Sequence, residues 1–333
     1  MVLQGNCSPL NTSFDYATVE TTDVDEHAAC LSNWEQDYEQ LSPGAFRGRL
    51  EEVRIGPIHL YRETISQAVL MHGATKPGTT TWAVAAVEQG AGWLGGHQID
   101  FNYLVRLSQY SEFEVATRGA ADVVVVSIDS EYLGDYVRRA EGIDFETETS
   151  QHQALQAIGC NVGSLRDLLM ETLAVTANGS RLLEREPLRR VLLHSMCDEL
   201  IARDKQLAAP IMTADVTAGT RQRVVREARQ YMSEHIDEAI SVVDLCEAIG
   251  VSCRTLQYSF QDVLQMSPVA YLRSSRLNGM RRDLRRGGDE SVGDRCARWG
   301  FWHLSRFAAE YRRMFGELPS ETLSRARSLT RRS

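Results

Sequence analysis

In the run CRTLQYSFQDVL, residues 253 to 264, apolar Leu256, Phe260 and Leu264 recur at every fourth position. A helix built on that spacing buries one face and turns Cys253, Arg254, Gln257, Tyr258 and Gln261 to the other. A guanidinium can bridge O6 and N7 of guanine, and a carboxamide can pair with N6 and N7 of adenine. Arg254 and Gln257 are therefore suited to reading base edges, with Tyr258 beside them. Further on, FWHLSRFAAEYRRMF sets Phe307, Tyr311 and Phe315 at the same intervals. Its open side offers His303, Ser305, Arg306, Ala308, Ala309 and Arg312. The two alanines can give only methyl contacts, so this run should read fewer bases, with Arg306 foremost. Arg312, Arg313, Arg281, Arg282, Arg285 and Arg286 are expected to contact phosphates, which position a protein on a duplex without specifying sequence. Trp299 and Trp302, flanking Gly300, are expected to pack against protein.

Each run follows a copy of one phrase. Residues 241 to 252 read SVVDLCEAIGVS and residues 291 to 302 read SVGDRCARWGFW, matching Ser241 with Ser291, Val242 with Val292, Asp244 with Asp294, Cys246 with Cys296 and Gly250 with Gly300. Ser followed three residues later by Asp starts a helix, because the hydroxyl accepts from an orphan backbone N–H and the acid suits the positive end of the dipole. The glycine ends it in a left-handed conformation. Short helix, glycine turn and second helix with one buried face is the helix-turn-helix pattern. Between the copies, PVAYLRSSRLNGMRRDLRR begins with a first-turn proline and reads as one helix. At 1.5 Å per residue it spans roughly 28 Å, close to the roughly 34 Å of one DNA turn. The spacing lets a single polypeptide touch two successive major grooves.

Charge divides along the same line. From residue 221 onward there are 20 Arg, no Lys and 14 acidic residues, a balance of +6, while the remainder carries 16 basic and 31 acidic residues, a balance of −15. A basic module on an acidic body points to nucleic acid at one end. No apolar run is long enough to cross a membrane and no signal pattern opens the chain, so a cytoplasmic protein is expected. The seven cysteines lack any CxxC pair, and the eight histidines lack metal-ligand spacing. No metal or cofactor is expected.

Upstream, EHAACLSNWEQDYEQL, residues 26 to 41, reads as a short helix, and RLEEVRIGPIHLYRETI as two strands joined at Gly56-Pro57. TTTWAVAAV, FNYLVRLS, FEVAT and DVVVVSI continue the β pattern. A barrel or sandwich follows, whose inward residues could enclose a small ligand. Arg62, Trp82, Trp93, His97, Tyr103 and Tyr110 are the candidate lining. Leu155, Ile158, Val162, Leu165, Leu169 and Leu173 then mark one amphipathic helix, and Leu188, Leu192, Met196 and Leu200 a second. Either stripe packs on the β domain or serves as a dimer seam. Residues 206 to 220 read as a linker.

Residues 221 to 328 resemble the DNA-binding domain of the AraC/XylS family of bacterial transcription regulators, whose closing signature is visible as GFWHLSRFAAEYRRMFGELPSETL. TTDVDEHAACLSNWEQDYEQLSPGAFRG and the later RETI are similar to the start of the ethanolamine-utilisation regulators of that family. The resemblance puts the family's base-reading positions on the residues named above, with Tyr258 where many members carry Arg. It implies an α+β protein: an effector-binding and dimerisation domain over 1–205, with a cupin-like β-barrel at about 46–135 and helices at about 150–205, then an all-α double helix-turn-helix domain over 221–330. It also implies a homodimer activating a catabolic operon with RNA polymerase as partner, and a small amine or amino alcohol as effector. A cupin-type enzyme and an effector-independent DNA binder are the alternatives.

Overall fold

The computed structural model describes residues 14–330 apart from 32–33, 89–91, 95–96, 108–111, 143–154, 160–161, 180, 208–215, 237 and 239. Twelve strands form two antiparallel sheets among these residues. In the first, β1 (Phe14–Thr21), β3 (Gly48–Ile55), β4 (Ile58–Ile65), β11 (Ala121–Asp129), β6 (Thr79–Ala85), β9 (Tyr103–Leu107) and β12 (Leu155–Gly159) pair in that order. In the second the order is β2 (Glu35–Gln40), β5 (Val69–Ala74), β10 (Glu112–Thr117), β7 (Gly92–Leu94) and β8 (His97–Ile99). The Gly56-Pro57 turn joins β3 to β4 as its composition suggests.

The sheets do not close into the barrel that the strand series suggested. They face each other as an open sandwich, and the reason lies in which faces are buried. Along β11, Val124, Val126 and Ile128 turn to one apolar cluster and Val125 to another. The first sheet is thus covered on both sides, which is why VVVV does not alternate with polar residues. Its outer cover is α2 (Ser130–Glu141), α3 (Gly163–Ala177) and α4 (Glu186–Leu207). Leu165, Leu169 and Leu173 of α3 are 0, 1 and 5% exposed in this cluster. That corrects the seam reading: the stripe is filled by the chain's own sheet and is not free for a second copy. Leu155 and Ile158, read as the start of the same helix, lie on β12 instead, where the backbone pairs with β9.

The run 26 to 41 is also split. Only α1 (Val24–Cys30) is helical, capped by Asp23, whose carboxylate accepts from the N–H groups of Asp25 and Glu26. Its second half is β2, which pairs with β5 and buries Tyr38 and Gln40 on one face. Tertiary pairing overrides the helical spacing there.

Among the described residues, seven helices make the C-terminal part: α5 (Val216–Glu234), α6 (Val242–Ile249), α7 (Cys253–Leu264), α8 (Pro268–Arg285), α9 (Val292–Arg298), α10 (Leu304–Phe315) and α11 (Pro319–Thr330). Helix α4 runs into the stretch read as linker and α5 begins inside it. No helix among the described residues is long and apolar enough to cross a membrane. Two cores serve this part. Phe307, Tyr311, Met314, Leu277 and Cys296 form one. The other joins Val224, Ala228, Leu256 and Phe260 to Leu70, Trp93 and Ala116 of the second sheet, so α5 to α8 are packed directly on the body.

Candidate nucleic-acid interface

The first helix pair is built as its sequence dictates. Ser241 accepts from the Asp244 N–H at 3.2 Å while the Asp244 carboxylate accepts from the Ser241 N–H at 2.8 Å, a complete capping box. Gly250 closes α6 at φ 72°, a conformation costly for residues with a Cβ. Ser252 then caps α7 by accepting from the Thr255 N–H at 3.1 Å. Leu256, Phe260, Val263 and Leu264 are buried, which leaves Arg254, Gln257, Tyr258 and Gln261 exposed together. The Arg254 guanidinium rests 5.3 Å from the centre of the Tyr258 ring. Cys253 is exposed as well, and its sulfur meets that of Cys246 on α6 at 2.9 Å.

The second pair repeats the plan with changes. Ser291 caps α9 through the Asp294 N–H, and Gly300 again has φ 72°. His303 stands at the N-cap of α10 without a side-chain cap bond. His303, Ser305, Arg306 and Arg312 are exposed, but the Arg306 guanidinium is tethered to Glu310 at 3.0 Å, and Glu310 also holds Arg273. The tryptophans divide. Trp299 packs over α8 and donates to Asp283 at 3.0 Å, as expected of a core residue. Trp302 does not: it is 74% exposed at the mouth of α10, beside Leu304 at 54%.

Three of the six arginines read as phosphate contacts lie elsewhere. Arg281 is buried and donates to Asp23 at 2.8 Å and to Glu317 at 2.7 Å. Arg282 donates to Asp25 at 2.8 Å and to the Tyr38 carbonyl at 2.9 Å, and Arg285 pairs with Asp23 and Glu26. Burial drives the Asp23 carboxyl up, but Arg281 and Arg285 outweigh it and hold it below the usual carboxylate range. Helical spacing gives the side of α8 on which an arginine lies; it cannot say that α1 covers that side. More bonds secure the same docking. The side-chain amide of Asn278 donates to the Gln40 carbonyl at 2.9 Å and its oxygen accepts from the Gln40 N–H at 3.2 Å. Tyr271 donates to Glu39 at 2.6 Å. Gly44 donates to the carbonyls of Arg313 and Met314 at the end of α10, both at 3.0 Å. The acidic body therefore grips α8 and the far end of α10, leaving the exposed residues of α7 and the start of α10 uncovered.

Of the effector candidates, Trp82 is buried beneath the helices over the first sheet, and Trp93 packs against the C-terminal helices under Arg118. Arg62 is paired with Asp122. Tyr103 alone lines the cavity between the sheets. His97 lies on β8, and Tyr110 falls outside the described residues. The cavity, of about 140 Å³, is walled mainly by Trp34, Tyr38, Tyr61, Glu63 and Phe113 with aliphatic neighbours. Sequence reading missed these, although Tyr61, Glu63 and Ile65 alternate onto one face of LYRETI.

Residues 245–325 match the family model of a helix-turn-helix domain. Over 102 residues the chain is 39% identical to a probable thc operon regulatory protein of Rhodococcus erythropolis, covering 30% of this chain and 31% of that one. Over 97 residues it is 36% identical to the XylDLEGF operon transcriptional activator 2 of Pseudomonas putida, covering 28% of this chain and 62% of that one. A solved structure, a probable AraC family transcriptional regulator from Rhodopseudomonas palustris, is 34% identical over 31% of this chain and 97% of that chain, with a TM-score of 0.30. The C-terminal third is an AraC-type helix-turn-helix domain. The chain spans about a third of the length of the first of these curated relatives and under two thirds of the second.

Proposed function

We propose that the chain is a ligand-responsive, sequence-specific DNA-binding transcription regulator, an activator of a catabolic operon, and that each protomer lays α7 and α10 into two successive major grooves. The supporting observation is the pair of uncovered helix starts in one basic domain, joined by an α8 of 18 residues that spans about 27 Å. Arg254 and Gln257 read bases from α7, with Tyr258 alongside. Arg306, His303 and Ser305 serve α10, and Arg312 holds phosphate. Arg282 reaches DNA only after Asp25 releases it. The effector is a small amine or amino alcohol and RNA polymerase is the protein partner. A homodimer would use the outer side of α4, where Leu188 and Val191 are 42 and 62% exposed.

The test is fluorescence anisotropy of the full chain on DNA selected from a random pool. The reading requires a preferred site with affinity that falls linearly in log–log form as salt rises. A folded chain without affinity for any duplex at low salt would sink it.

A further inference from the structure

Two free thiols meet across the turn of the first helix pair. Cys246, on α6, is buried, and Cys253, the first residue of α7, is open to solvent. The Cys246 S–H donates to the Cys253 sulfur at 2.9 Å. Burial, with that bond, pushes the Cys246 thiol up, so the inner cysteine keeps its proton and the outer one meets reagents from solution. Sulfurs in a disulfide lie about 2.05 Å apart, so joining this pair asks for roughly 1 Å of movement. Cys246 also fixes the turn that aims α7: its carbonyl accepts from the N–H groups of Gly250 and Val251, both at 3.0 Å. The second copy keeps the inner cysteine as Cys296, which is fully buried, but carries Leu304 where the first has Cys253. The thiol pair therefore belongs to the first copy.

We propose that Cys246 and Cys253 are a site of reversible oxidation, joined as a disulfide by a hydroperoxide, and that the link disables the first reading helix while leaving the second in place. The terminal oxygen of the peroxide passes to the Cys253 sulfur. A sulfenic acid forms there, the O–O bond breaks, and the remaining oxygen leaves as water or alcohol with the thiol proton. The Cys246 sulfur, already in contact, then attacks the Cys253 sulfur. The S–S bond forms, the S–O bond breaks, and the hydroxyl departs as water with the Cys246 proton. Two thiols lose two electrons and the peroxide gains them.

The link acts where the bases are read. It closes a ring over the Gly250 turn and draws the start of α7 toward the buried side of α6. Arg254 is the next residue along, and Gln257 and Tyr258 follow on the same helix. A binding constellation works only when held within about 0.5 Å of its productive geometry, so this retraction costs the base contacts of α7. Helix α10 has no such link and keeps its position. Because Cys253 is exposed, reductants reach the bond, and exposed disulfides are the labile, regulatory kind. The proposal rests on the regulator reading and adds to it an input sensed by the reading domain itself.

The experiment treats the full chain with hydrogen peroxide and then with dithiothreitol. Trypsin releases residues 230–254 as one peptide that holds both cysteines and no others. After peroxide that peptide should be lighter by two hydrogens, and dithiothreitol should restore its mass. On selected DNA, oxidation should weaken binding about tenfold, the worth of one lost bidentate base contact, and footprinting should show the loss in the window of the first copy alone. Two variants, each compared with itself before and after peroxide, isolate the link. Cys253→Ser removes the outer thiol and should abolish the peroxide effect. Cys246→Ala keeps the outer thiol but cannot close the ring, and should abolish it too; should that buried change unfold the chain by circular dichroism, Cys246→Ser replaces it. A peptide of unchanged mass, an oxidised chain with undiminished affinity, equal loss in both windows, or a Cys246 variant as sensitive as the parent would overturn the proposal. A reduced chain without affinity for any duplex removes the regulator reading instead, and the peptide mass then tests the link by itself.

Discussion

In the first helix-turn-helix copy, Ser241 and Asp244 exchange backbone bonds in both directions, Ser252 caps the reading helix, and Phe260 sits in a core shared with the second sheet. In the second copy, the Ser291 hydroxyl donates to Asp294 at 2.7 Å, His303 stands uncapped, and Phe307 sits in a core made by the C-terminal helices alone. The same phrase has been fitted to two different attachments. One copy is joined to the body through apolar packing; the other is held at its far end by backbone bonds from Gly44 and a bond from the Gln40 amide. The body should therefore govern the first copy's stability and the second copy's orientation.

The largest effect expected is in the cores. Phe260→Ala and Phe307→Ala should each cost about 3–5 kcal/mol. In denaturant unfolding followed by tryptophan emission and circular dichroism, the Phe260 change should weaken body and domain together, and the Phe307 change the domain alone. Identical unfolding profiles would break the comparison.

Gly279 offers a change confined to the second copy. A Cβ there would lie 2.2 Å from the Trp299 ring, so Gly279→Ala must displace Trp299 and its bond to Asp283. A loss of about 1–3 kcal/mol is expected, read as a lower melting temperature, with binding to the half-site of the first copy retained in anisotropy. Unaltered stability would mean that Trp299 does not pack on α8.

Acid should also tell the copies apart. Burial pushes the Asp283 carboxyl up, but bonds from Arg298 and Trp299 outweigh it and the net position is below the ordinary range. A carboxyl lowered by folding gives stability that is present above its unfolded value, near 4, and is lost as pH falls through the lower folded one. Melting curves should thus show the second copy loosening below about pH 4, and Asp283→Asn should flatten that dependence. Persistence of the acid loss in the variant would assign it to other carboxylates, Glu52 first, which His59 and Arg54 hold down to about 2 against its burial.

How much of this was legible beforehand follows a physical line. Caps, the glycine turns and the buried face of each reading helix are local, and spacing alone located Ser241, Gly250, Leu256, Phe260 and their counterparts. Covering partners are not local. Nothing in RRDLRR says that Asp23, Asp25 and Glu26 will meet three of its arginines, and nothing in VVVV distinguishes a barrel wall from a sheet packed on both sides. Side-chain type within a strand cannot tell Trp82, facing helices, from Tyr61, facing the cavity. Register decides that, and register belongs to the pairing.

The central claim is that two copies of one motif read two successive grooves, each its own. Quantitative footprinting of the full chain on its selected site, with Arg254→Ala and Arg306→Ala beside the parent, tests it most directly. Two protected windows one helical turn apart should appear, Arg254→Ala should cost about 1–3 kcal/mol and erase base preference in one window only, and Arg306→Ala should act more weakly on the other. A single window, or the same sequence-independent loss from both substitutions, would contradict it.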